Sequence, residues 1–292
     1  MSQASISGAA RPSPSSHDVP TRSVRVGDAE FAYRELGPRG GTPVILLHHL
    51  AANLDDWDPR LIDGLAATRH VIAFDNRGVG ASTGSTPQTV EAMAADAVAF
   101  VRALGHERVD LFGFSLGGFV AQAVLEREPA LVRRAVLAGT GPAGGPGIDK
   151  IRWTSIVPTI KALVRRKHPK YHLFFTGTAT GRAAAQAFLD RLQERTEDRD
   201  GPVANATFSA QMKAIHRWGK QSPWDLSRIG HPVLLANGET DAMVPSRNTI
   251  DLADRLPHGE LVPLYPDAGH GGIFQHHTEF TAAALEFLER AD

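Results

Sequence analysis

"LFGFSLGGFVAQAV", residues 111–124, ends an apolar run on a serine, Ser115, and passes at once into a pattern of helical character. A serine there packs nothing and has no evident capping partner. Gly113 and Gly117, two residues to either side, lack the side chains that would collide in a sharp turn from strand to helix. The spacing predicts such a turn, with the Ser115 hydroxyl bare at its apex. It would project over the N-terminus of the following helix, where unpaired N–H groups and the helix dipole favour a developing negative charge.

Working outward, short apolar runs alternate with longer helical patterns. "SVRV" and "EFAYREL" read as an opening antiparallel pair. "PVILLH" (43–48), "HVIAFD" (70–75), "RVDLFGF" (108–114), "RRAVLAG" (133–139), "PVLLAN" (232–237) and "ELVPLY" (260–265) have the length of buried strands. The segment from Thr89 places Val90, Met93, Ala94, Ala97, Val98 and Val101 on one helical face. About eight strands alternating with helices imply an α/β fold, a mostly parallel sheet flanked by helices.

One region breaks the alternation. Residues 141–222 show helical patterns without a clear strand and are bounded by "GPAGGPG" and "SPWD". They read as a helical cap over the carboxyl ends of the strands, where open parallel sheets bind ligands. The expected organisation is a flexible Ser-, Ala- and Pro-rich leader over 1–22, a core over 23–140 and 223–292, and the cap over 141–222.

Composition narrows the chemistry. With 292 residues, 42% of them hydrophobic, the chain can bury one large core. A formal net charge of -1 with mixed signs gives no footprint for nucleic acid or an anionic membrane, so a small-molecule substrate is the expected partner. Zero cysteines exclude disulfides and a thiol nucleophile. No signal-peptide pattern and no run of about 18 apolar residues is present, so a cytoplasmic protein is expected by default.

A serine hydroxyl needs a base, and that base an orienting acid. Asp241 follows the strand "PVLLAN", and His270 follows "ELVPLY". Both lie at carboxyl ends of late strands, on the same sheet edge as Ser115. Glu239 is the rival acid. A metal site from His270, His276 and His277 is disfavoured, since no acidic ligand pattern accompanies it. Asp75 and Arg77 read as a structural turn, and "VRRKHPK" (164–170) as a solvated helix face. "GTGPAG" (139–144) fits a dinucleotide loop, but Pro142, the following "GPG" and the missing acidic residue argue against it, so no cofactor is expected.

Five stretches in order, "LLHHL", "FDNRGVGAS", "GFSLGG", "GETDAMVP" and "GH", resemble the α/β-hydrolase fold superfamily, in its capped serine-hydrolase branch of esterases, lactonases and haloperoxidase-like enzymes. The resemblance covers nearly the whole chain after the leader. It implies Ser115 as nucleophile, His270 as general base and then acid, Asp241 as its orienting carboxylate, and the backbone N–H groups of Leu116 and Leu50 as the oxyanion hole. The implied reaction is cleavage of a small ester, thioester or lactone through an acyl-enzyme. Perhydrolysis or carbon–carbon cleavage would use the same triad, and a non-enzymatic receptor or a homo-oligomer remains compatible with the fold. His49 departs from the pattern, which usually has Gly there, so a side chain enters the turn that carries Leu50.

Overall fold

The computed structural model describes residues 15–291. An eight-stranded sheet is built from β1 (Arg22–Val26), β2 (Ala29–Leu36), β3 (Val44–Leu47), β4 (Val71–Phe74), β5 (Val109–Phe114), β6 (Val132–Ala138), β7 (Val233–Ala236) and β8 (Gly259–Leu261), in the spatial order β1-β2-β4-β3-β5-β6-β7-β8. β1 pairs with β2, and β2 with β4, in antiparallel fashion; β4-β3-β5-β6-β7-β8 are parallel. Every residue of β3, β4, β5 and β7 is buried, as expected of strands covered on both faces.

The helices are α1 (Pro59–Ala66), α2 (Val90–Ala103), α3 (Leu116–Arg127), α4 (Ile151–Thr154), α5 (Ile156–Val164), α6 (Lys170–Leu173), α7 (Ala179–Arg191), α8 (Asn205–Lys220), α9 (Arg247–Arg255), α10 (Gly272–Gln275) and α11 (His277–Glu289). Their starts follow local rules. Asp58 accepts from the Arg60 N–H ahead of Pro59, and Thr89 accepts from the Ala92 N–H at the head of α2. α2 packs on α3, and α1 on α11. Phe74 of β4 stacks on Phe100 of α2 with ring centroids 4.2 Å apart, and each such ring contributes roughly 1.5–3 kcal/mol by leaving water.

The apolar run 260–265 is only partly a strand. β8 stops at Leu261 because Pro263 has no N–H to give the ladder. Pairing resumes beyond the proline: the Tyr265 N–H donates to the Asn237 carbonyl at 3.0 Å, and Tyr265 bridges Gly238 in parallel sense. The chain therefore still runs along β7 to deliver the residues that follow.

Residues 1–14 of the expected leader lie outside the described residues. Residues 15–22 are tied to the body. Ser15 Oγ donates to Asp63 at 2.6 Å, Arg195 Nη1 donates to the carbonyls of Ser16, His17 and Val19, and Val19 is buried. Arg22 already begins β1.

The turn after β4 is structural, as its sequence suggested. Asp75 accepts from the N–H groups of Leu54 (2.9 Å) and Ala81 (3.3 Å), while Arg77 pairs with Asp96 and Asp28. Burial, and then the neighbouring Asp200 carboxylate, push the Asp75 carboxyl up to about 8. The folded state therefore keeps a proton that the unfolded chain releases near pH 4, and stability falls as pH rises from about 4 to about 8. Asp200→Asn should flatten that decline, as read by thermal unfolding from about pH 5 to about pH 9; parallel curves for the two proteins would refute the pairing.

Candidate active site

Ser115 sits between β5 and α3 with φ 57° and ψ −116°, a left-handed conformation that costs a non-glycine residue on the order of 1–3 kcal/mol. Its surroundings enforce the turn. The Ser115 N–H donates to the Ala138 carbonyl at 2.9 Å, and its carbonyl accepts from Thr140 Oγ1 at 3.0 Å. A Cβ on Gly117 would lie 1.9 Å from the Leu47 carbonyl oxygen, and one on Gly113 would lie 2.4 Å from that of Gly117. The glycines are thus required by close backbone approach. Leu116 is the first residue of α3, where a backbone N–H has no intrahelical acceptor.

His270 and Asp241 meet although 29 residues separate them. His270 Nδ1 lies 2.7 Å from Asp241 Oδ2, with both side chains almost fully buried. A carboxylate only accepts, so Nδ1 carries a proton, and in the neutral imidazole the lone pair is on Nε2. That Nε2 is buried without a hydrogen-bond partner among the described residues. Asp241 Oδ1 accepts from the N–H groups of Met243 (2.8 Å) and Val244 (3.0 Å), which fixes the carboxylate. Glu239, the rival acid, is exposed. His276 instead stacks on Tyr265 at 4.9 Å.

Gly139, the first glycine of the stretch that fits a dinucleotide loop, serves the histidine: a Cβ there would stand 3.3 Å from His270 Cε1 and Nδ1. The His270 ring is held between Phe114 (5.0 Å) and Phe174 (5.3 Å).

The loop after β3 supplies Leu50 and answers what His49 does. The His49 ring meets Phe114 and Phe174 edge to face at 5.5 and 5.2 Å, and its Nδ1 donates to the Leu50 carbonyl at 2.8 Å. Burial, with the Lys170 ammonium adding to it, holds His49 well below the usual histidine range, so the ring is neutral. Burial likewise lowers His48 to about 4. Gln211 of α8 accepts from the Ala51 N–H at 2.7 Å, which braces the far side of the loop.

Ser115, His270, His49 and Leu50 line one cavity of about 320 Å³, large enough for a small organic molecule. Its remaining wall comes largely from the segment between β6 and β7, with Thr159, Lys170, Leu173, Phe174 and Phe208. Three other aromatic side chains of that segment stay out of the cavity. Trp218 is fully buried against Phe119, Phe175 packs on Phe188, and Trp153 is 70% exposed.

Lys170 ends the basic run 164–170 whose sequence suggests a solvated helix face. It is buried and pairs with Asp56, behind the Leu50 loop. At the other end of the same short helix, the Phe174 carbonyl accepts from the Gly271 N–H at 2.7 Å, directly after His270. No local signal marks either contact, because the partners are remote in sequence.

The sequence pattern described as alpha/beta hydrolase fold matches residues 42–277. A solved alpha/beta hydrolase fold protein from Chitinophaga pinensis is 36% identical and superposes with a TM-score of 0.89, over 95% of this chain and 100% of that one. The non-heme chloroperoxidase of Streptomyces lividans is 27% identical over 276 residues, 88% of this chain and 95% of that protein. The enol-lactonase of Burkholderia xenovorans LB400 shares the fold, with a TM-score of 0.71 at 20% identity over 92% of this chain and 100% of that one. A parallel sheet with a strained serine turn after β5, matched by the family pattern over most of its length, means that the chain belongs to the α/β hydrolase fold family.

Proposed function

We propose that the protein is a serine hydrolase that cleaves a small ester, thioester or lactone through an acyl-enzyme. The observation that carries this reading is His270 with Nδ1 anchored on Asp241 and Nε2 unpartnered among the described residues, in one cavity with Ser115. Ser115 Oγ attacks the substrate carbonyl and its proton passes to His270 Nε2. The N–H groups of Leu116 and Leu50 hold the oxyanion; one such donor is typically worth about 100-fold or more in rate. Collapse expels the leaving group, protonated from Nε2, and water activated by the same nitrogen then releases the acid. The segment over 141–222 acts as a cap and sets substrate size through Leu173, Phe174 and Phe208.

A fluorophosphonate probe followed by intact-mass analysis and peptide mapping tests this reading. One adduct on Ser115, lost in Ser115→Ala, is expected. Labelling elsewhere, or none in folded protein that turns over esters, refutes it.

The likeness to a chloroperoxidase favours one second reading, perhydrolysis. Hydrogen peroxide would then replace water in attacking the acyl-enzyme, releasing a peracid. Peracid formation from an ester and peroxide at a rate above hydrolysis would select it.

A further inference from the structure

The outer face of α5 is apolar and uncovered. Val157, Ile160, Leu163 and Val164 are 71, 54, 67 and 78% exposed, and Trp153 of the preceding α4 is 70% exposed. Scattered exposed apolar residues are ordinary, but at about 100° per residue these α5 positions fall within an arc of about 120°. Thr159, which lines the Ser115 cavity, flanks one edge of this arc, and the buried Ala162 lies on the opposite side. A helix on a water-facing surface places its polar side outward; α5 does the reverse.

Charge is concentrated at the same place. From Lys150 to Leu189 the chain has eight Lys and Arg and no Asp or Glu, within a protein of net charge -1. Lys161 borders the apolar arc, and Arg165, Arg166 and Lys167 follow it directly, all exposed.

We propose that this face docks on an anionic phospholipid bilayer, with the apolar stripe entering the headgroup boundary and the cations meeting lipid phosphates. A second copy of the chain is the rival occupant. A two-fold contact through this face would set the same cations against their own copies, whereas lipid phosphates complement them. Surface docking needs no spanning segment, and no helix among the described residues is long and apolar enough to cross a membrane. Phe208, 44% exposed, borders both the groove beside Trp153 and the Ser115 cavity. The docking does not depend on the reaction proposed above.

Trp153 is a built-in reporter, because Trp57 and Trp218 are buried and Trp224 is half-buried. The protein is mixed with vesicles of phosphatidylcholine alone or with phosphatidylglycerol, and binding is read by co-sedimentation and tryptophan emission. Binding to the anionic vesicles with a blue shift, the shift being absent in Trp153→Phe, is expected. Val157→Asp/Val164→Asp should abolish binding, and Arg165→Ser/Arg166→Ser/Lys167→Ser should weaken it about tenfold or more. Both variants change exposed positions outside the cavity, so turnover of a soluble ester stays at the unmodified level. Failure to bind, equal binding to the two vesicle types, or binding unchanged in both variants overturns the proposal. So does a dimer in sedimentation equilibrium that Val157→Asp/Val164→Asp splits, which would assign the stripe to a second copy.

Discussion

Ser115→Ala is expected to lower kcat/KM toward a soluble ester by about 10⁴-fold or more while leaving the fold intact. The effect is large because in the proposed reaction the hydroxyl is the attacking atom, and it stands at the head of α3, in one cavity with the His270 imidazole. The fold survives because the Ser115 hydroxyl makes no hydrogen bond among the described residues, while the backbone bonds of the turn are kept. His270→Ala should cost a similar factor, and the double variant no more than either single one, since nucleophile and base act as a unit. Asp241→Asn should cost on the order of 10⁴-fold by presenting the wrong tautomer to His270 Nδ1. Retention of activity within about tenfold in Ser115→Ala, with unfolding curves matched, would remove the serine from the chemistry.

The parts of this site that were legible in the sequence are those whose cause is local. Gly113 and Gly117 flank Ser115 because backbone atoms approach within hard-sphere limits, and that need is written into the residues from one glycine to the other. Asp241 and His270 were readable as candidates because each follows an apolar run, β7 or the run that begins with β8, on the edge that the parallel topology shares. The illegible parts depend on partners far away. Arg195 pins the chain at Val19 across 176 residues, so a stretch rich in small residues reads as loose. Trp218 lies in the segment that walls the cavity but stacks on Phe119 instead. His49 is a visible departure, yet only its contacts with Phe114 and Phe174 say that the ring is a packing element and a donor to Leu50. The α5 stripe alternates apolar residues as a core helix would, and sequence cannot tell an inward from an outward face.

Asp56→Asn is expected to destabilise the protein by about 3–5 kcal/mol, the usual consequence of leaving one buried charge without its partner. Lys170 begins α6 with its side chain 9% exposed, and Asp56 closes the loop behind Leu50 at 20%. Burial alone would raise the Asp56 carboxyl, but the Lys170 ammonium, its hydrogen bond and the Asn53 N–H together outweigh it and hold the group at about 2. The contribution of the carboxylate is therefore present above about pH 4 and lost as pH falls through about 2. The two single variants are not equivalent. Lys170→Met leaves a carboxylate that reaches some water, accepts from the Asn53 N–H, and can take up a proton as its pKa rises. Asp56→Asn strands an ammonium with less solvent and a neutral His49 beside it. Lys170→Met/Asp56→Asn removes both charges and should recover most of the loss, because replacing both members of a buried pair is often neutral where removing one is not. The pair also has a catalytic consequence. It joins the loop of Leu50 to the segment whose Phe174 touches both His49 and His270. Asp56→Asn should thus lower kcat/KM at temperatures where the protein is still folded, and the double variant should restore part of it. Urea unfolding and ester turnover on the four proteins of this cycle decide the matter. Additive losses of less than about 0.5 kcal/mol each would mean that water, not the partner charge, stabilises both groups.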